Sequence, residues 1–426
     1  MTRRSGFLVA VLLVSGVLAS LRAPARATDY PQRPETPAYG QTPPELVPYN
    51  RSIQPYRRFY LTPPEFRGPG RELPDPPGLK TVRIGLLAPL EGAGEVAAGT
   101  SLKRGVDLAL EEANASGGYH GLPFELVPRN DQQLWGSAAS TLLRFGYEDG
   151  VWAVIGSIDN NSTHVALRAA VKAEILIVNV GSSDPTMNET GIPWIVRCWP
   201  DDRQTSYRVA RLVFEEKKYA RVAVIRSGDR YGRTGIKEFR DAARRLSRPV
   251  PMEVLFSPGE KEFTTQIDRV EGAKVEAVVV WASQPADAAR LVRKLRQRGM
   301  RQPIIGTDHI VNAEFLERAG EAAEGVVATY PYKPDREDER WTEFRKRFSA
   351  RYTMEPDPYA AYGYDAAQMV IGGLREVGLN RPRLRDALMA VRHRSGVTGE
   401  ELFDETSNDV SPLALARVEG GRFVFE

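Results

Sequence analysis

Three groups of residues in this chain have types and spacing suited to holding a small charged molecule. The first follows the apolar run Val82–Ala88: the stretch LEGAGEVAAG, Leu90 to Gly99, carries the spacing Gly92-x-Gly94-x-x-Ala97. Glycines so placed between a strand and a helix let backbone approach a pyrophosphate, and Glu111 and Glu112 lie near where a ribose-binding acid would be sought. The second group is a pair of polar turns, SIDNNSTHVALRAA and GSSDPTMNETG. Asn160, Asn161 or Ser162 is placed to cap a helix in one, and Asp184 before Pro185 in the other. Helix starts present free N–H groups and a partial positive charge, which suit a carboxylate or phosphate. Gly181 lets backbone come close, and Ser182 and Ser183 add hydroxyls. Ordinary capped loops have the same composition, so the anion reading rests on two such turns facing one another.

The third group complements the second. Asp308 in IIGTDHIVN lies just past an apolar run, where one carboxylate would hold an ammonium group. Tyr231 precedes a helical pattern in SGDRYGRTG, and Trp281, Ser283 and Gln284 follow a run in VVVWASQP. An anion site on one side, with a carboxylate and aromatics on the other, suits a zwitterion enclosed between them. No hydrolytic triad, carboxylate dyad or metal box has recognisable spacing, and His120, His164, His309 and His393 show no ligand spacing. The expectation is a small-molecule binder, not an enzyme, with no catalytic residue, metal or cofactor. Cys198 is the single cysteine, which excludes an intrachain disulfide, and IVRCWP reads as a strand end holding a buried thiol.

The elements that must position these groups follow from periodicity. Strands are expected at Val82–Ala88, Phe124–Pro128, Trp152–Gly156 and Ile175–Val180, with helix-period stretches between them. A second series follows at Arg221–Arg226, Pro251–Phe256, Glu276–Ala282 and Gln302–Thr307. Alternating strand and helix implies parallel sheets covered on both faces. Two such halves leave a cleft at the carboxyl ends of their strands, where open α/β sheets bind ligands.

The chain opens with Arg3 and Arg4, an apolar core from Phe7 to Ala19 and Ala25-Arg26-Ala27. That reads as a signal peptide, residues 1–27, cleaved near Ala27 on the general secretory route, which places the mature chain outside the cytoplasm. A single anchor helix is the alternative, against which the short core argues. Loss of the leader's four arginines changes the formal charge from +3 to −1, so nothing calls for a polyanionic or nucleic-acid partner. The basic run Ala289–Arg301 has Leu291, Val292 and Leu295 on one face, as a surface helix does. Residues 28–79 are proline-rich and expected to be extended, either a spacer or a segment whose aromatics Tyr56, Phe59, Tyr60 and Phe66 dock on the body or on a partner.

From about Val82 to the C-terminus the chain resembles the leucine/isoleucine/valine-binding family, the type I periplasmic solute-binding proteins of ABC importers. The resemblance lies in IGLLAPL, GVDLALEEANASGG with HGLPFELV, the VIGS run with Asn160-Asn161-Ser162-Thr163, ILIVNVGSSDP, RVAVIRSGDRYGRTG, EAVVVWASQP, PIIGTDH and PYAAYGYDAAQ, in the family's order. It implies an α/β fold of two Rossmann-like lobes joined by three hinge crossings, near Val196–Pro200, Thr329–Tyr332 and Leu402–Asp404. Lobe 1 would be residues 80–198 plus 333–401, and lobe 2 residues 199–332 plus 402–426. It also implies a monomer in the periplasm that delivers a small amino acid or carboxylate to an ABC permease in the inner membrane. Asn160 falls where the family places a serine on the ligand carboxylate, and Gly181, Ser182 and Ser183 fall on the carboxylate clamp. Asp308 falls on the acid that pairs with the ammonium, Tyr231 on a cleft tyrosine, and Ser283 or Gln284 where an aromatic often lines the pocket. Ala98 stands where a cleft tyrosine is common, which opens the pocket to a larger side chain, an amide or an aromatic acid. An exported sensor or scaffold with the same fold is the alternative. In this frame LEGAGEVAAG is the first cleft loop rather than a dinucleotide site, because Pro89, Leu90 and Glu91 lengthen the turn.

Overall fold

The computed structural model describes residues 42–47, 70–92, 95–131 and 135–426. The expected leader, most of the proline-rich segment with its aromatic cluster, and Gly94 lie outside the described residues.

The first half of the chain folds as five parallel strands: β1 (Val82–Ala88), β2 (Phe124–Asn130), β3 (Ala153–Gly156), β4 (Leu176–Asn179) and β5 (Ile195–Arg197), in spatial order β2-β1-β3-β4-β5. β3 and β4 are buried at every position, as continuous apolar runs require when helices cover both faces. The connecting helices are α1 (Val96–Ala115), α2 (Trp135–Tyr147), α3 (Asn160–Ala173) and the single turn α4 (Thr186–Glu189). The order reverses beside β1, whose next strand β2 lies on one side and β3 on the other. That creates the switch point at which ligands enter such sheets.

The chain then crosses into a second sheet through α5 (Asp202–Arg211), which packs on α6 (Arg230–Arg245). Strands β6 (Val222–Ser227), β7 (Met252–Phe256), β8 (Ala277–Trp281), β9 (Ile304–Gly306) and β10 (Val327–Tyr330) pair in parallel. Helices α7 (Thr264–Gly272), α8 (Pro285–Gln297) and α9 (Ala313–Ala319) link them. After β10 the chain returns to the first sheet as α10 (Glu339–Tyr352), α11 (Pro358–Val377), which packs along α1, and α12 (Arg381–Ala390). A hairpin of β11 (His393–Ser395) and β12 (Glu400–Leu402) precedes the third crossing. The antiparallel pair β13 (Ala414–Glu419) and β14 (Arg422–Phe425) then closes the second sheet as β14-β13-β10-β9-β8-β6-β7.

Eight expected strands are present with ends shifted by a residue or two. Thr329 and Tyr330, expected in the second crossing at Thr329–Tyr332, instead end strand β10, which pairs with β9 on one side and with β13 from the far end of the chain on the other. The first helix cap also differs. Asp159, one residue before the expected candidates, accepts from Ser162 N at 2.7 Å.

The described parts of the proline-rich segment lie against the body. Asp75 accepts from Leu379 N at 2.8 Å and from the Tyr119 hydroxyl, and Asn380 donates to Gly70 O at 2.7 Å. Farther upstream, Thr42 Oγ1 donates to Asp404 Oδ2 at 2.6 Å, Leu46 O accepts from Arg203 at 3.1 Å, and Leu46 and Val47 are buried. That second anchor sits on the third crossing.

Candidate functional site

The carboxyl ends of the two sheets face each other across a cleft with two compartments. The smaller, about 170 Å³, is lined by Asn160, Gly181 and Ser183 from the first half and by Arg230 and Tyr231 from the second. The larger, about 510 Å³, is lined by Asp308, Trp199, Tyr330 and Tyr359 among others. Glu95, Ser283, Gln284 and His309 line both, so the two spaces meet there. A few hundred cubic ångströms between domains is the usual scale of a small-molecule site.

On the first-half side, the loop after β4 turns at Gly181, whose φ of +106° favours glycine, and an added Cβ would meet Ile158 and Tyr359 at 3.0 Å. Two amides beyond Ser182 point at Asn160: Ser183 N and Asp184 N donate to its Oδ1 at 2.9 and 3.2 Å. The expected clamp is therefore altered. Those two amide donors are satisfied within the protein, and Asn160, with its oxygen engaged, is left with Nδ2 as a donor at the start of α3.

Ser182 departs from its expected role. It is fully buried, and its hydroxyl donates to Ser157 O and Asp159 O at 3.1 Å and sits 2.6 Å from Thr163 Oγ1. It therefore holds the loop rather than lining the cleft. Asp184 is buried and accepts from Arg230 Nε at 2.7 Å, with His164 Nε2 at 3.2 Å. Burial opposes its ionisation, but His164, Arg230 and Thr186 outweigh burial and hold the carboxyl well below its ordinary range. The Arg230 contact joins the two halves across the cleft.

On the second-half side, the Tyr231 hydroxyl donates to Thr307 Oγ1 at 2.8 Å and to Asp308 Oδ1 at 3.3 Å. Burial and the nearby Asp308 carboxylate push its pKa well up, so it remains a donor. The His309 ring stacks on Tyr231 with centroids 4.2 Å apart, and Nδ1 donates to Ser283 O at 3.0 Å. Burial disfavours the imidazolium, yet Asp308 and Glu95 raise its pKa overall.

Trp281 is a correction. It ends β8 fully buried, 5.9 Å from the Tyr231 ring, and lines neither compartment. A Cβ on Gly235 would fall 2.0 Å from its ring, so α6 closes over the indole. Alternation along a strand turns a residue away from the cleft as readily as toward it, and no sequence signal marks which.

The aromatic wall comes instead from residues the sequence did not single out. Trp199 stacks on Tyr359 with centroids 5.0 Å apart and an interplanar angle of 15°, and Tyr330 lines the same compartment. Trp199 and Tyr330 fall inside two of the three expected crossings, and Tyr359 is the second residue of the PYAAYGYDAAQ stretch, so the signal was position rather than residue type. Glu95 lies in LEGAGEVAAG, the expected first cleft loop. Cys198 is fully buried, and burial raises its pKa well above the ordinary value, as expected of a packing thiol.

Comparison with known proteins follows this geometry. A family described as periplasmic binding protein matches residues 81–422. A Leu/Ile/Val-binding protein homolog of Brucella abortus is 28% identical over 335 residues, covering 78% of this chain and 88% of the relative. A leucine-binding protein structure from Thermotoga maritima superposes with a TM-score of 0.74 at 23% identity, covering 81% of this chain and 98% of the other. A branched-chain amino acid transporter substrate-binding protein from Streptococcus pneumoniae, solved with isoleucine, has a TM-score of 0.74 at 24% identity, with 82% and 99% covered.

Proposed function

The chain belongs to the periplasmic binding protein family, and from that premise we propose that it is the substrate-binding component of an ABC importer, closing on a small amino acid or related carboxylate. The two lobes are residues 80–198 plus 333–401 and residues 199–332 plus 402–426, moving about the three crossings. Hinge closure of this kind draws ligand contacts from both halves at once. The protein works as a secreted monomer, its leader removed near Ala27, and presents its closed form to an inner-membrane permease. It does not turn its ligand over.

The observation that carries this reading is Asp308. It faces an interlobe cavity, and among the described residues its side chain accepts one hydrogen bond, a long one from the neutral Tyr231. Across the cleft Asn160 is left with a donor at a helix start. The pair suits the ammonium and carboxylate of one zwitterion. The Leu/Ile/Val-binding relative and the neighbour solved with isoleucine point to the same class.

A thermal-shift screen of amino acids, amides and aromatic acids tests the reading, because a ligand that binds only the folded state raises the melting temperature. At least one α-amino acid is expected to shift it. Asp308→Ala is expected to weaken that ligand by about 1.5–3 kcal/mol, the worth of a hydrogen bond to a charged group, with folding retained. Undiminished affinity in calorimetric titration would remove Asp308 from the site.

A further inference from the structure

The cleft carries more negative charge than a zwitterion needs. Three of its aspartates are helix caps: Asp159 accepts from Ser162 N, Asp229 from Gly232 N, and Asp357 from Ala360 N, at 2.7–2.9 Å. The partial positive charge of each helix start answers them. Glu95 has no such answer. It stands at the N-cap position of α1 but its side chain caps nothing. It reaches across the cleft, and its one hydrogen bond comes from the neutral amide of Gln284 in the other half, at 3.3 Å.

The cations that could balance Glu95 are few. Arg230 is bound to buried Asp184, and His309 lies between Asp308 and Glu95. Burial, Asp159 and Asp308 all disfavour the charge on Glu95, with His309 and Gln284 opposing them. Beyond Glu95 the larger compartment offers the faces of the Trp199–Tyr359 stack and of Tyr330. A flexible chain ending in a cation is attracted to aromatic faces as well as to a carboxylate.

We infer that the preferred ligand is a basic α-amino acid, its side-chain ammonium or guanidinium lodged between Glu95 and the aromatic wall of the larger compartment. The inference deepens the amino-acid reading and rests on it. Asp308 holds the α-ammonium, and Glu95 is the residue that selects the side chain. A neutral branched side chain would leave the Glu95 carboxylate, disfavoured by Asp159 and Asp308, with only His309 to balance it, and His309 is shared with Asp308.

Calorimetric titration of the full secreted chain with arginine, lysine, ornithine, leucine, phenylalanine and glutamate decides the matter. A basic amino acid is expected to bind about tenfold or more tighter than leucine or phenylalanine. Glu95→Gln is expected to lose about that factor for the basic ligands alone. Leucine, phenylalanine or glutamate binding as tightly as the basic ligands overturns the inference and leaves the amino-acid reading standing. So does a Glu95→Gln variant that binds basic ligands unchanged. If no α-amino acid binds, both fall. The ranking on the unmutated protein stands whether or not the variant folds.

Discussion

Buried charges on the hinge side and charges in the cleft are handled in opposite ways. Around the first crossing each side-chain nitrogen of Arg197 and Arg203 has a partner. Arg197, fully buried, donates to Asn408 Oδ1 at 2.7 Å, Asp184 O at 2.6 Å and Asp201 Oδ2 at 2.8 Å. Arg203 donates to Glu238 at 3.0 Å, Leu46 O at 3.1 Å and Glu189 at 2.5 Å. In the cleft, Glu95 and Asp308 each hold a single 3.3 Å bond from a neutral group. A charge whose valences are filled inside the protein stabilises the fold. One left with open acceptor positions beside a cavity is free to bind, and its cost is met only when a ligand arrives.

If that contrast is right, hinge substitutions should lower stability and cleft substitutions should lower affinity. The largest effect is expected for Arg203→Ala, which strands Glu189 and Glu238 together. Removing one member of a buried pair costs about 3–5 kcal/mol, to be read by urea denaturation. Loss of ligand affinity with normal stability would merge the two classes. Next comes Asn160→Ala, which removes the cleft donor and exposes the amides of Ser183 and Asp184. Affinity is expected to fall by about 1.5–3 kcal/mol in calorimetry, with a smaller change in melting temperature.

A third measurement concerns Asp409, at the third crossing. Burial raises its pKa to about 7, Ser411 and Arg197 only partly offset this, and its Oδ2 has no partner. The folded state thus holds a proton that the unfolded chain releases near pH 4. The stability is fully present below pH 4 and is lost as pH rises through about 7. The expected slope over that window is about 1.4 kcal/mol per pH unit, and Asp409→Asn should flatten it. An unchanged slope in the variant would locate the titration elsewhere. The smallest effect belongs to the arm. Thr42→Val removes one hydrogen bond to Asp404, worth about 1 kcal/mol, and should lower the melting temperature slightly with ligand affinity unaltered.

Much of the fold was readable because short apolar runs such as AVIG and LIV, bounded by turn residues and alternating with helix-period stretches, suit strands buried on both faces. That Asp308, Tyr231, Asn160 and Gly181 line the cleft was readable as well, since each follows a strand end on the side where open sheets bind. Trp281 was not. One residue of register decides whether the last side chain of β8 faces the cleft or the helix layer, and the packing of Gly235 settles that.

What the sequence by itself determined is local: strands and helices from hydrophobic period, turns from glycine and polar caps, and the chemical types available at each loop. Only tertiary structure decided which of those types keep a free valence. Asn160 meets the amides of Ser183 and Asp184, Asp184 meets Arg230, and Glu95 accepts from the neutral amide of Gln284, because segments far apart in the chain converge on one cleft. Whether a charge is filled or open is a property of its neighbours in space, and period along the chain carries no record of them.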